Sequence, residues 1–364
     1  MTFDEARAQF PVLARVAYLN AGTFGPLARA TVDAAAAWDR RLLEQGRSGQ
    51  AHRDEVRALR EQVRERISAL LGVDAATVAL TSSTTNACNI VLAGLDLAPD
   101  DEVVTTDAEH FGLLGALHAS GARVRVARVR DLPAERALTA ILAEVGSRAR
   151  LLALSHVSWM TGNVFPVAEL KRETGLPVLV DGAQTVGAVP VNATPFDFYT
   201  VSGQKWLCGP DATGALYVGD PDRLRVAAPT YFSHRGYEPD GSFAPVEGAA
   251  RFDSGWISPG SLAGLEAALD AVPEWSSERA RAVAERCYEL LAERFEIVTA
   301  PGQATLVSFR SGGDAAEVAA SLFERGVTVR DIPGTDWVRV SCAWWTSDGD
   351  LERLLASLSL AEGV

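Results

Sequence analysis

Two residues of the 364-residue chain combine a reactive type with a telling setting, Asp181 and Lys205. An apolar run, Val178-Leu179-Val180, stops on Asp181, and a second, Asp197 to Val201, stops on Ser202-Gly203-Gln204-Lys205. A third, Ala215 to Val218, follows a Gly-Pro-Asp-Ala-Thr-Gly turn. Short runs between Gly and Pro signals predict buried strands of a parallel or mixed sheet. In open α/β sheets ligands lie outside the carboxyl ends of the strands, where both residues would stand. A lysine amine able to form a Schiff base and an acid able to keep a pyridinium nitrogen protonated are what pyridoxal phosphate (PLP) needs. Taken singly, Asp181 would cap the next turn and Lys205 would be a solvated surface lysine. The setting of Lys205 between Ser-Gly-Gln and Trp-Leu-Cys-Gly-Pro tells against that.

The segments DGAQ (181–184) and SGQKWLCGP…TGALYV (202–218) resemble the class V aminotransferases. These fold-type I PLP enzymes include cysteine desulfurases, kynureninases, isopenicillin-N-epimerase-like proteins and C–S lyases. The resemblance extends from Tyr18 to Leu355. It implies an α/β fold of fold-type I PLP-dependent transferases. A large domain over 18–260 would hold a mixed, mostly parallel sheet flanked by helices, and a smaller α+β C-terminal domain would cover 261–364. Segment 1–17 would pack nearby. The resemblance further implies a homodimer and an amino-acid substrate processed through an external aldimine and Cα deprotonation by Lys205.

The remaining candidates follow from the elements that must position them. Val78 to Thr81 predicts a strand, and Ser83, Thr84 and Thr85 then open a helix. Hydroxyl residues there cap the helix, and the same amides and hydroxyls can hold a phosphate. The resemblance makes this turn the phosphate cup. Strand 102–105 ends near Glu109-His110, where His110 matches the ring that stacks on the cofactor face. Strand 151–158 leads into Trp159, placed to shape the pocket; many cysteine desulfurases carry asparagine there. Gln184 matches the partner of the ring's phenolic oxygen, and Ser202 and Gln204 match phosphate contacts. Asn20, Ala21 and Gly22 form either a plain turn or a loop touching substrate.

Further along, residues 229–261 read as a long irregular loop, which in a compact protein is usually functional. Its RFDSGWISPGSL stretch resembles a segment that crosses to a neighbouring subunit's phosphate. Trp256 replaces the usual small hydroxyl residue, leaving Ser258 as the candidate; equally, the loop lines the pocket or the dimer surface. A continuous helical pattern covers 262–291. A small α+β unit follows, with strands 305–309, 327–330 and 337–341 and helices 315–325 and 348–358. Arg339 alternates outward from Val338 and Val340, which alone would suit an edge-strand salt bridge; it also matches the family's arginine that grips a substrate α-carboxylate, for which its planar fork suits, and the resemblance favours that role.

Composition narrows the partners. A net charge of −13 without a basic block argues against nucleic acid and anionic membrane. No apolar stretch approaches a membrane span, and MTFDEARAQF lacks the apolar core of a signal peptide. Cys88, Cys208, Cys287 and Cys342 are scattered, so reduced structural thiols, a cytoplasmic setting and no metal site are expected. Cysteine desulfurases resemble one another in a mobile cysteine shortly before the carboxylate-binding arginine. Residues 330–336, RDIPGTD, contain none, so a persulfide mechanism is not expected. The segments HVSWMTG and VRDIPGTDWVRVSCAWWTSDGDLERLL look most like PLP-dependent C–S lyases of ergothioneine biosynthesis. That implies β-elimination from a sulfur-substituted cysteine. The alternatives are an aminotransferase or epimerase of the same family, or a catalytically inactive PLP-binding protein.

Overall fold

A computed structural model describes residues 1–361. The first part of the chain forms α1 (Phe3–Arg7), β1 (Ala17–Tyr18), α2 (Arg29–Gln45), α3 (Gly49–Leu71), β2 (Val78–Thr81), α4 (Thr84–Gly94), β3 (Glu102–Thr106), α5 (Phe111–Ala119) and β4 (Arg123–Ala127). Next come α6 (Ala137–Ala143), β5 (Ala149–Ser155), α7 (Val167–Thr174), β6 (Val178–Asp181), β7 (Phe198–Ser202), β8 (Gly214–Val218), β9 (His234–Tyr237) and β10 (Phe243–Pro245). The rest forms α8 (Pro259–Asp270), α9 (Ser276–Ala292), β11 (Leu306–Arg310), α10 (Ala315–Glu324), β12 (Val327–Thr328), β13 (Arg330–Asp331), β14 (Trp337–Ser341) and α11 (Asp348–Ala361). Among the described residues no helix is long and apolar enough to cross a membrane.

Seven strands form the main sheet in the order β2-β8-β7-β6-β5-β3-β4. Only β8 runs antiparallel to its neighbours, which makes the sheet mixed and mostly parallel, as expected. Successive side chains point to opposite faces, so each apolar run feeds two cores. Leu152, Leu154, Val178, Val180 and Val201 pack beneath α3, α6, α7 and α8, whereas Leu151, Ala153, Leu179 and Leu216 pack beneath α4 and α5. With both faces covered, polar groups are driven to the strand ends. Because β2, β3, β5, β6 and β7 point the same way, their carboxyl ends share one edge.

The smaller unit is an antiparallel sheet, β11-β14-β13, packed against α9, α10 and α11. β1 joins it by pairing in parallel with β12, so the chain's start is stitched to its C-terminal third. Four local expectations are revised. The helical pattern over 262–291 is two helices, α8 and α9, because Pro273 lacks the amide and the space to continue a helix. The strand expected over 327–330 is two short pieces with different partners, β1 and β14. Residues 229–261 contain the β9–β10 hairpin. Arg339 lies on the central strand of its sheet and points into the protein, not out of an edge. Since Leu262, Ala263 and Leu265 of α8 belong to the main core, we propose that the domain boundary falls in the α8–α9 turn rather than at 261.

A buried charge cluster fastens the 229–261 segment to the main sheet. Asp253 accepts from Arg60 Nη2 at 2.8 Å and from Arg64 at 2.9 and 3.1 Å, and it takes the Leu80 amide at 2.7 Å. The Arg60 guanidinium also lies 3.8 Å over the Phe232 ring. Each of the three charged residues is no more than 3% exposed. Removing one partner strands the others in a medium that solvates charge poorly. Asp253→Ala therefore costs about 3–5 kcal/mol of folding stability, read as a lower urea midpoint at unchanged denaturant slope.

Candidate active site

The shared edge of the sheet gathers six of the expected residues into one cleft. Thr84, His110, Trp159, Asp181, Gln184 and Lys205 line it, together with Ser155, Val157 and Ala183. Asp181, the last residue of β6, is 4% exposed. Its Oδ1 accepts the Ala183 amide at 2.9 Å and the Thr200 hydroxyl at 3.3 Å. Both bonds fall on one oxygen, which leaves Oδ2 without a donor among the described residues. Lys205 follows β7 by three residues. Burial pushes its amine down to about 8, with Asp181 opposing the shift and Arg339 adding to it. Such an amine sheds its proton near neutrality, as a covalent nucleophile must.

Gln184 is pinned from two sides. The Trp206 indole donates to its Oε1 at 3.0 Å, and its Nε2 donates to the Gly22 carbonyl at 2.9 Å. An indole N–H can only donate, so this fixes which end of the amide is oxygen. The second amide hydrogen stays free for a ligand. Gly22 stands where a side chain would not fit: a Cβ there would lie 2.8 Å from Arg339 Nη2 and 3.0 Å from Gln184 Oε1. Asn20 and Thr23 of the same loop contact Arg339 Nη2 at 3.4 and 3.3 Å. Ala21 is buried in the core beneath.

Arg339 is 1% exposed, and its Nη1 donates to the Trp159 carbonyl at 2.8 Å. Its Nε has no partner, and no carboxylate pairs with it among the described residues. Burial lowers it to about 9, helped by Arg330 and opposed by Asp331, so the guanidinium stays charged at neutral pH. A buried cation with an idle N–H is a site waiting for an anion. The Trp159 indole nitrogen is likewise buried and unpartnered.

His110 caps α5, its Nδ1 accepting the Gly112 amide at 3.1 Å, and its ring meets Trp159 edge-on at 5.2 Å. Burial lowers its pKa, so the ring is neutral. At the far end, Ser83 caps α4 by accepting the Asn86 amide at 3.1 Å. Thr84 and Thr85 open that helix, whose free amides and dipole favour a phosphate. Ser202 pairs with Gly214, and a Cβ on Gly214 would come within 3.3 Å of the Ser83 backbone. Ser202 donates to Gln204 Oε1 at 2.8 Å. Ser258 is not brought to the cleft within one chain: it is exposed at the start of α8. The residue of that segment which does reach α4 is Ser254, whose hydroxyl binds the Asn86 side chain. The sequence also passed over Ser155 and Thr200: Ser155 ends β5 beside Asp181, the signal that would have found it, whereas Thr200 lies in the middle of β7 and reaches Asp181 across the sheet.

The donor set fits PLP. A depressed amine, a carboxylate with a free oxygen, a helix N-terminus and an idle guanidinium suit its aldehyde, its ring nitrogen, its phosphate and a substrate carboxylate in turn. Known proteins agree. Isopenicillin N epimerase of Streptomyces clavuligerus is 29% identical across 99% of this chain and 98% of its own length. A cysteine desulfurase of Haloferax volcanii is 32% identical over 74% of this chain and 68% of its own. Among solved structures, a C-DES variant with glycine covalently linked to the PLP cofactor superposes with a TM-score of 0.89 at 29% identity, covering 97% of this chain and 98% of that one. A complex of the cystine C–S lyase C-DES with its reaction product cysteine persulfide gives 0.88 at 29% identity, over 96% and 99%. The aminotransferase class-V pattern spans residues 18–361, and the chain belongs to that family of PLP-dependent enzymes.

Proposed function

We propose that the protein is a C–S lyase that eliminates the sulfur substituent of an S-substituted cysteine, a sulfoxide of the kind met in ergothioneine biosynthesis being the favoured class. The observation that carries this is the pairing of a ready Lys205–Arg339 site with four cysteines that are all buried. Cys88, Cys287 and Cys342 sit in the cores, and Cys208 lies under the Gly25 turn. A desulfurase needs a mobile thiol to receive sulfur; elimination of a good leaving group needs none. Support also comes from the likeness to C-DES, itself described as a cystine C–S lyase.

PLP held by Lys205 and then handed to the substrate amine, which frees the lysine, would supply an electron sink for the pair left when the Cα–H bond breaks. Arg339 grips the α-carboxylate and so aligns that bond with the Lys205 amine, which takes the proton. Asp181 Oδ2 would keep the ring nitrogen protonated, and Gln184 would donate to the phenolic oxygen. Thr84, Thr85, Ser83, Ser202 and Gln204 would hold the phosphate, while His110 would cover the ring and Trp159 would wall the substrate side. The electron pair freed at Cα then forms a Cα=Cβ double bond as the Cβ–S bond breaks with its own pair on sulfur, which departs as thiolate or sulfenate, and water converts the released enamine to pyruvate and ammonia. The near full-length likeness to isopenicillin N epimerase supports a second reading, in which the proton returns to the opposite face of Cα. We further assign a homodimer working in the cytoplasm. The exposed, stacked Tyr231 and Trp256 rings offer a second copy an apolar face, and the four free thiols suit a reducing compartment.

Purified, PLP-loaded protein offered S-substituted cysteines and their sulfoxides should release pyruvate. Inversion at Cα with deuterium uptake from D₂O, and no pyruvate from any of them, would instead establish the epimerase. Arg339→Lys trades a fork for a point charge and should lower kcat/KM by roughly 30- to 160-fold, the equivalent of about 2–3 kcal/mol. The apoprotein should capture PLP faster as pH rises towards about 8, where burial has placed the Lys205 amine. An unburied lysine would shift that rise beyond pH 10. Lys205→Ala should abolish the visible absorbance of lysine-bound cofactor.

A further inference from the structure

One carboxyl group at the cleft has no part in the mechanism above. Glu109 follows β3 and is 5% exposed. Thr106 Oγ1 donates to its Oε1 at 2.6 Å, and the amide and hydroxyl of Ser155 donate to its Oε2 at 2.9 and 2.5 Å. Ser155 is the last residue of β5, lines the cleft and pairs with Asp181 on β6. A second acid is thus tied, through one serine, to the residue beside the acid that would hold the ring nitrogen. No lysine or arginine pairs with it among the described residues. The other titratable groups that face it supply no cation either. Cys88 on α4 has its thiol pushed well up by burial, and His110 next in the chain is neutral.

We propose that Glu109 is a positioning residue that clamps Ser155 against the Asp181 strand end and gives up a proton when a pyridinium docks on Asp181. This rests on Asp181 being the ring-nitrogen partner. Burial raises Glu109 to about 7; the bonds from Ser155 and Thr106 oppose the shift, and the Asp181 charge adds a smaller push upward. Two acids in one dry space resist ionising together. In the apoprotein near neutral pH, Glu109 therefore retains much of its proton. A pyridinium paired with Asp181 cancels the negative field that favours that proton, and it leaves to solvent. The surroundings accept both states. The Ser155 amide is a fixed donor to Oε2, whereas the Thr106 hydroxyl beside Oε1 can turn and accept from a protonated carboxyl.

The test titrates apoprotein with PLP by calorimetry in buffers of differing ionisation enthalpy, which counts the protons released. Glu109→Gln mimics the protonated acid, its carbonyl accepting from Ser155 and its NH₂ donating to Thr106. Wild type should release a fraction of a proton more than Glu109→Gln near pH 7, at most about half, the difference vanishing near about pH 5 and about pH 9. Equal counts across that range would overturn the role of Glu109 while leaving the PLP site intact. Failure of wild-type apoprotein to bind PLP would overturn both. Should the variant not fold, infrared difference spectra of wild type decide. Loss of a protonated-carboxyl stretch on adding PLP supports the proposal, and an unchanged carboxyl region refutes it.

Discussion

A buried guanidinium, Arg339, and a partly buried amine, Lys205, share a cleft with the acid Asp181, and most of the molecule serves to hold that imbalance. Taking an ammonium or guanidinium out of water costs several kcal/mol even after relaxation. The protein meets that cost unequally. Lys205 is relieved by losing its proton near pH 8, which is also what arms it. Arg339 cannot shed its proton near neutrality and is held by a backbone carbonyl, an amide oxygen and a hydroxyl, none of them charged. The missing negative charge must come with ligands. On the proposed reading, a phosphate at the α4 N-terminus and a carboxylate at Arg339 would complete the site electrically, so affinity for an anionic cofactor and an anionic substrate would be built in before any specific contact is made.

Backbone geometry makes that arrangement possible. Parallel strands buried on both faces leave the polar chemistry nowhere to go except their carboxyl ends. The loop before α2 then closes over the edge. Gly25 donates its amide to the Gln204 carbonyl, and a Cβ at Gly25 would lie 2.1 Å from the Lys205 carbonyl. At Gly22 a Cβ would lie 2.8 Å from Arg339 Nη2 and 3.0 Å from Gln184 Oε1. Glycine at these two positions is a steric demand: the backbone itself packs on Lys205 and on Arg339.

Much of this was legible in the chain, and the physical reason differs by residue. Asp181 and Lys205 stood out because an apolar run that halts on a charged residue marks a strand end, and strand ends of parallel sheets face ligands. Ser83, Thr84 and Thr85 stood out because hydroxyls that open a helix lie beside its free amides. Arg339 was visible only as an alternation out of register with two valines, which cannot tell solvent from a cleft. Glu109 was hidden for a related reason: an acid next to a histidine after a strand reads as a surface pair until three donors are seen closing on it. Ser254 and Ser258 were inseparable by spacing. Their difference depends on the Arg60–Asp253–Arg64 cluster, which joins parts of the chain about two hundred residues apart, beyond any local pattern. Pro273 was the reverse case, a local signal outweighed by the helical periodicity on either side of it.

The link between the two halves of the site is the turn after β5. Its Trp159 carbonyl takes Arg339 Nη1 at 2.8 Å, its Met160 carbonyl takes the Ser308 hydroxyl at 2.6 Å, and its Thr161 carbonyl takes the Thr299 hydroxyl at 2.5 Å. Gly162, with φ of 74°, fits where a Cβ would lie 2.4 Å from the Leu306 carbonyl. Three successive backbone carbonyls of the main-sheet unit are therefore held by side chains of the smaller unit. A buried carbonyl that loses its donor costs about 1–3 kcal/mol, so sliding one unit past the other at this point is strongly resisted. It follows that the indole of Trp159 and the guanidinium of Arg339 keep their mutual placement through any opening of the cleft. On the proposed reading, the grip on the α-carboxylate and the wall facing the substrate side chain would act as one rigid body, and adaptation to different substrates would fall to the loop carrying Asn20 and Thr23.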